Sequence, residues 1–196
     1  MAEGNGAFGP INGLSTALDE RDSITHGHCD RVSVLSLAVG QLCGLSEREL
    51  QNLRLVARLH DIGKIGIPDT ILKKLTKLDD QDWLIMKTHS ARSERIVLAS
   101  TLANGAEIAQ GVRHHHERYD GNGYPDGLAG ESIPILSRIV AVADTYDAMS
   151  QLRTYGAPLA HDQIMRELER VAGTQHDAYV TARFNIAIEN SPFKAL

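Results

Sequence analysis

Ionisable side chains recur in stretches of this chain that otherwise read as buried helix. His28, His60-Asp61, His89, His115-His116 and Asp144 each fall among apolar residues spaced for one helix face. An isolated imidazole or carboxylate at such a position is costly, so a fold that keeps all of them must bring them together. Nine histidines in 196 residues supply the groups, and imidazole is the commonest metal ligand. Five imidazoles and two carboxylates converging on one core imply a metal centre.

The periodicity is helical throughout. From about Ser15 to Cys43, Val32, Leu35, Val39 and Leu42 recur at helical spacing before the stop at Gly44. Ser46 and Glu49 have the spacing of a capping box ahead of Leu50, Leu53 and Ala57, and this second helix ends near His60-Asp61. Residues 62–68 are too glycine-rich for a helix interior and read as a loop, followed by a short segment at 69–73. A third long helix is expected over residues 80–100, carrying Trp83, Met86, His89 and Ile96, and a fourth over 106–116 with Ile108 and Val112 inward. Ser132-Ile133-Pro134 opens a fifth, in which Leu136, Val140, Ala143 and Asp147 share a face; two more lie near 161–172 and 177–190. No alternating strand pattern of useful length competes, and no repeat is evident. The expectation is an all-α fold, one helical bundle of about seven helices over residues 14–196. Residues 1–13, with four glycines and a proline, read as a linker remnant or expression scar.

Composition removes other classes. A formal net charge of −5 argues against a DNA-coating protein, which needs concentrated lysine and arginine. No apolar run reaches membrane-spanning length and the first residues lack the pattern of a signal peptide, so a cytoplasmic domain without membrane contact is expected. Cys29 and Cys43 lie on one expected helix, roughly 21 Å apart at about 1.5 Å per residue, too far for a disulfide.

His60-Asp61 alone means little, because such a pair usually just caps a helix. With the other ligands it gains meaning. A carboxylate has two oxygens, so Asp61 is the natural bridge between two metals, with histidines in the outer positions. Two metals about 3.5–4 Å apart can polarise a phosphoryl group, lower the pKa of a shared water and steady the leaving oxygen of an in-line displacement. That combination suits phosphodiester hydrolysis.

The full set of motifs resembles the signature of the HD-GYP family over roughly residues 14–190. It comprises His28, His60-Asp61-Ile62-Gly63-Lys64, His89, the block His115-His116-Glu117-Arg118-Tyr119-Asp120-Gly121-Asn122-Gly123-Tyr124-Pro125-Asp126-Gly127, and Asp144. The spacings of 28 residues from Asp61 to His89, 26 from His89 to His115 and 28 from His116 to Asp144 also resemble the family pattern. The resemblance implies a cyclic di-GMP phosphodiesterase with an HD-type domain and two divalent ions, iron or manganese. His28, His60, Asp61 and Asp144 would hold one ion, and His89 and His115, with Asp61 bridging, the other. Lys64, just past the bridge, would steady the phosphate charge. The loop at Gly123, Tyr124 and Pro125 is a strong turn former in its own right. The resemblance adds that it can contact GGDEF-domain proteins, with Tyr124 as the anchor, and that an N-terminal receiver or sensor domain often precedes such domains.

The chain departs from the family in two places. Many members carry a glutamate where this chain has Ile24, which predicts a dinuclear rather than trinuclear centre, with His116 a partial ligand. Beyond the substrate-facing candidate Asp147, Arg153 and Tyr155 keep part of a phosphate-gripping run whose second basic position is Gly156. One charge-assisted contact fewer costs about 1.5–3 kcal/mol, which predicts slow hydrolysis or a reaction that stops at the linear dinucleotide rather than GMP. His26, His114, His161 and His176 are not expected to be ligands. Two alternatives stand beside the enzyme: a catalytically weak module that binds a cyclic dinucleotide or a GGDEF partner, and a general HD phosphohydrolase, against which the 115–127 block counts.

Overall fold

The computed structural model describes residues 13, 16, 18, 20, 21, 27–151 and 158–195. Among these the fold is all-α, with an isolated bridge between Ala172 and His176 and no strand. The helices are α1 His28–Leu42, α2 Glu47–Leu59, α3 Asp69–Leu72, α4 Asp80–Met86, α5 Thr88–Leu98, α6 Gly105–Arg113, α7 Ile135–Ser150, α8 His161–Val171 and α9 Ala178–Glu189, with 3-10 turns at Ile62–Gly66 and Gly130–Ser132. Residues 1–12, Ile24, His26, Arg153, Tyr155 and Gly156 lie outside the described residues, and with them the expectations placed there.

Local chemistry sets the element boundaries. Ser46 caps α2 as expected: its backbone N–H donates to Glu49 Oε2 at 2.8 Å while its hydroxyl accepts from Glu49 N. Asp79 and Asp82 form the same device at α4. The expected long helix over 80–100 is instead two helices meeting at Lys87, and α4 buries none of its residues: Trp83 and Leu84 are exposed. The expected fourth helix stops at Arg113, so His114, His115 and His116 lie on the turn beyond it. Leu42, read as part of an inward stripe, is exposed at the end of α1, whereas Val32, Leu35 and Val39 are buried.

The long helix α7 organises the core, packing against α1, α2, α6, α8 and α9. Leu136, Val140, Ala143 and Asp147 line its buried face as the 3.6-residue period requires. Ile108 and Val112 of α6, Leu53 and Val56 of α2 and Phe184 of α9 complete the same apolar cluster. The ionisable side chains sit at one side of this cluster, where α1, the α2 terminus, α5, the turn after α6 and α7 converge. No disulfide joins Cys29 and Cys43. Among the described residues no helix is long and apolar enough to cross a membrane.

Candidate metal centre

The turn after α2 carries the centre of the cluster. His60 is fully buried and Asp61 is 3% exposed. The 3-10 turn that follows lies directly on α5 because Gly63 has no side chain: a Cβ there would sit 2.0 Å from the His89 carbonyl oxygen and 2.6 Å from Ser93 N. Ser93 fastens the contact, its hydroxyl donating to the His60 carbonyl at 2.7 Å and accepting from Gly63 N at 2.9 Å. Nothing in the sequence marks Ser93 for this role, since serine on a helix face carries no distinctive signal.

The imidazole tautomers follow from the backbone. Nδ1 of His60 lies 2.7 Å from the Ala57 carbonyl, Nδ1 of His89 2.8 Å from that of Met86, and Nδ1 of His115 2.6 Å from that of Val112. A carbonyl oxygen only accepts, so in each ring Nδ1 donates its hydrogen and Nε2 presents a lone pair inward. His60 Nε2 is buried with no hydrogen-bond partner among the described residues. His89 Nε2 faces His115 Nε2 at 3.3 Å and Asp61 Oδ1 at 3.4 Å, acceptor against acceptor. Such an arrangement calls for a cation, and the donor set of imidazoles and carboxylate suits a divalent metal.

Two groups of ligand atoms lie within 4.8 Å of one another: His28, His60 and Asp61, and Asp61, His89, His115 and His116. Asp61 belongs to both. Asp144 of α7 adjoins the first through its Oδ1, 3.2 Å from His28 Nε2. Lys64 Nζ donates to Asp61 Oδ2 at 2.7 Å. Burial would raise the Asp61 pKa, but Lys64 and then His60, His89 and His115 hold it well below the carboxylate range. Burial favours the neutral imidazole at His89 and His115, and lowers His116 to about 3. His28 is the exception: burial depresses it, but the hydrogen bonds to Asp144 and Asp147 outweigh that and raise it to about 9.

Two expected roles change. Asp147, read as facing substrate, is 2% exposed and both its oxygens are engaged. Oδ2 meets His28 Nδ1 at 2.7 Å and Arg31 Nη2 at 2.9 Å, and Oδ1 accepts from Arg31 Nε at 2.7 Å. Its place is behind His28, with Arg31 as a partner that the sequence did not single out. Tyr124, read as an exposed anchor, is half-buried and packs inward, its ring 4.9 Å from that of His116 and 6.4 Å from that of His89. The loop turns it in because Gly123 lies flat on the backbone of Glu117 and Arg118, where a Cβ would approach Arg118 N to 2.3 Å. Pro125 is exposed.

Among the remaining histidines, His161 bonds Tyr146 Oη at 2.9 Å and Glu189 at 3.1 Å. His176 is buried and belongs to neither of these ligand groups. His114 falls in a third group with Glu117 and Asp126.

This fold and this site define a class: a helical domain built round a histidine–aspartate cluster of metal-ligand geometry. A family model described as an HD domain matches residues 13–180. The chain belongs to the HD-domain family, and its 115–127 block places it with the HD-GYP type. The cyclic di-GMP phosphodiesterase of Thermotoga maritima is 42% identical over 174 residues, covering 87% of this chain and 46% of that protein. RpfG of Xanthomonas campestris, a cyclic di-GMP phosphodiesterase response regulator, is 39% identical over 170 residues, 85% of this chain and 44% of its own length. A 3'3'-cGAMP-specific phosphodiesterase of Vibrio cholerae is 38% identical over 158 residues, 81% and 30% respectively. The chain thus spans less than half the length of these relatives. The crystal structure of a V. cholerae cyclic GMP-AMP-specific phosphodiesterase superposes with a TM-score of 0.71 at 21% identity, covering 93% of this chain and 49% of that one. The HD domain of Listeria monocytogenes phosphodiesterase PgpH, in complex with cyclic-di-AMP, gives 0.60 at 15% identity over 90% and 94%. At these identities the structural likeness is one of fold.

Proposed function

We propose that this domain is a metal-dependent phosphodiesterase that opens a cyclic dinucleotide, cyclic di-GMP in the first instance, at a dinuclear centre. The observation that carries the reading is Asp61, which belongs to both groups of ligand atoms, its Oδ2 3.5 Å from His60 Nε2 and its Oδ1 3.4 Å from His89 Nε2. The names of the relatives support the substrate class.

In this reading His28, His60, Asp61 and Asp144 would hold one ion and Asp61, His89 and His115 the other, with His116, beside Tyr124, a partial ligand. Divalent iron or manganese there supplies Lewis-acid polarisation of the phosphoryl group. The protein does the rest. Backbone carbonyls fix the tautomers of His60, His89 and His115, so their lone pairs need no reorganisation. Arg31 and Asp147 set the orientation of His28, so Asp147 acts as a positioning residue. Lys64 exchanges its hydrogen bond to Asp61 for one to a substrate phosphate oxygen, placing a positive charge where negative charge builds. The Tyr124 ring covers His116 and narrows water's access. Arg153 remains a proposed phosphate contact, the linear dinucleotide the proposed main product, and the cytoplasm the proposed compartment. Contact of the Gly123–Pro125 loop with a GGDEF partner, and regulation by a preceding receiver or sensor domain, belong to the same proposal.

The test is to load the protein anaerobically with iron or manganese, add cyclic di-GMP or 3'3'-cGAMP, and resolve the products chromatographically beside an Asp61→Ala control. Product formed only with intact Asp61 supports the phosphodiesterase, and the faster substrate names its preference. Bound metal without product from either nucleotide overturns it in favour of a binding module, the reading that Ile24 and Gly156 motivate.

A further inference from the structure

Beyond α6 the chain places a third set of ligand atoms that neither ion of the proposed centre uses. His114, Glu117 and Asp126 each offer one atom within 4.8 Å of the others. His114 is 4% exposed and Glu117 5%, whereas Asp126 lies at the surface. His114 is prepared as His60, His89 and His115 are: its Nδ1 lies 3.0 Å from the Gln110 carbonyl oxygen, so it donates there and Nε2 carries the lone pair. That lone pair points at Asp126 Oδ2, 2.8 Å away. Two acceptors at that distance require a proton or a cation between them.

Glu117 supplies the independent observation. Its Oε1 accepts from the backbone N–H of Asp126 at 2.7 Å and of Gly127 at 3.1 Å, which fastens the loop to it. Its Oε2 is buried and has no hydrogen-bond partner among the described residues. A carboxylate oxygen hidden from water with nothing to bind loses its solvation without recompense. Among the described residues Arg113 is the guanidinium bound to this group. It donates through Nε and Nη2 to Asp126 at 2.7 and 2.8 Å, and through Nη1 to Glu94 at 2.6 Å. The three carboxylates of Glu94, Glu117 and Asp126 against one guanidinium leave a formal charge of −2, the complement of a divalent cation.

We propose that His114 Nε2, Glu117 Oε2 and Asp126 Oδ2 form a further divalent-cation site, separate from the centre around Asp61, that clamps the 120–127 loop to the end of α6. One imidazole and two carboxylates suit zinc or manganese. On binding, Asp126 Oδ2 turns from Arg113 to the ion while Oδ1 keeps Arg113 Nη2, and Gln110 continues to hold the His114 tautomer. The ion thereby steadies the loop that carries Tyr124 over His116. The inference rests on ligand geometry alone and does not require the phosphodiesterase reading.

Zinc and cobalt titrations of the whole chain against a chromophoric chelator test it, with cobalt d–d absorption as a second readout. The wild type is expected to bind one ion per chain more than His114→Gln or Asp126→Asn, and the cobalt band of that ion to vanish in both. Asp61→Ala is expected to retain the extra ion, which separates this site from the main centre. Equal stoichiometry and equal cobalt spectra in the wild type, His114→Gln and Asp126→Asn overturn the proposal. Should His114→Gln fail to fold, the surface substitution Asp126→Asn decides alone.

Discussion

His176 makes the acid stability of this fold predictable. It sits on the turn between α8 and α9, 4% exposed, and neither ring nitrogen meets a hydrogen-bond partner among the described residues. Burial is the main cause that lowers its pKa from 6.5 to about 4; Asp144 pulls the value up and Arg118 pushes it down. The folded state therefore binds this proton less readily than the unfolded chain, so acid favours unfolding. Its contribution is fully present above pH 6.5, is lost as the pH falls toward 4, and changes no further below that, where both states are protonated. Linkage puts the loss at about 2 kcal/mol by pH 5 and about 3 kcal/mol by pH 4. Burial also lowers His89, His115 and His116, so the test compares proteins rather than pH values. Urea midpoints of metal-free wild type, His176→Leu and His176→Gln are measured from pH 8 to pH 5. Both variants are expected to lose about 2 kcal/mol less than wild type across that interval, whatever their stability at pH 8. Parallel curves would show that His176 is hydrated or partnered in the native state, and the reasoning fails.

Two substitutions test the scaffold of the centre. Gly63→Ala drives a methyl group into the His89 carbonyl and must lift the 3-10 turn off α5; a cost of about 1–3 kcal/mol in thermal unfolding and weaker manganese binding are expected, and an unchanged melting temperature would contradict the close contact. Arg31→Gln removes two charge-assisted bonds from buried Asp147 and is expected to weaken manganese binding by about 10–100-fold in a chelator competition; wild-type affinity would show that Asp147 holds His28 without help.

Helix-forming patterns were legible because they depend on near neighbours: the capping box at Ser46, the inward stripe of α7 and the extents of α8 and α9 are local chemistry. The candidate ligands stand out in the sequence because ionisable residues next to apolar stripes violate a local rule. Contacts between distant segments were not. Nothing near Asp147 announces that Arg31, on another helix, will take its oxygens. Tyr124 reads as a surface turn residue until the flat contact of Gly123 with Glu117 is known. His114 is not expected to be a ligand from sequence, because only the fold shows that it meets the loop carrying Asp126. The apolar spacing continues across Lys87, so the sequence carries no local sign of the break between α4 and α5.

That break belongs to the logic of the centre. A helix leaves its last four carbonyls without intrahelical partners. Ala57 lies in the last turn of α2, Met86 is the last residue of α4, and Gln110 and Val112 lie in the last turn of α6. Three of these carbonyls, those of Ala57, Met86 and Val112, fix His60, His89 and His115, while that of Gln110 holds His114 and also accepts the His114 backbone N–H at 3.3 Å. A continuous helix through residues 80–100 would return the Met86 carbonyl to the helix ladder and free His89 Nδ1 to lose its tautomer. Ending α4 at Met86 and restarting at Thr88 keeps that acceptor for the imidazole. Histidines take up carbonyls in the last turns of three helices, and each histidine so held keeps its other nitrogen free to accept. The ligand cluster and the punctuation of the helices are one solution to the same hydrogen-bonding requirement.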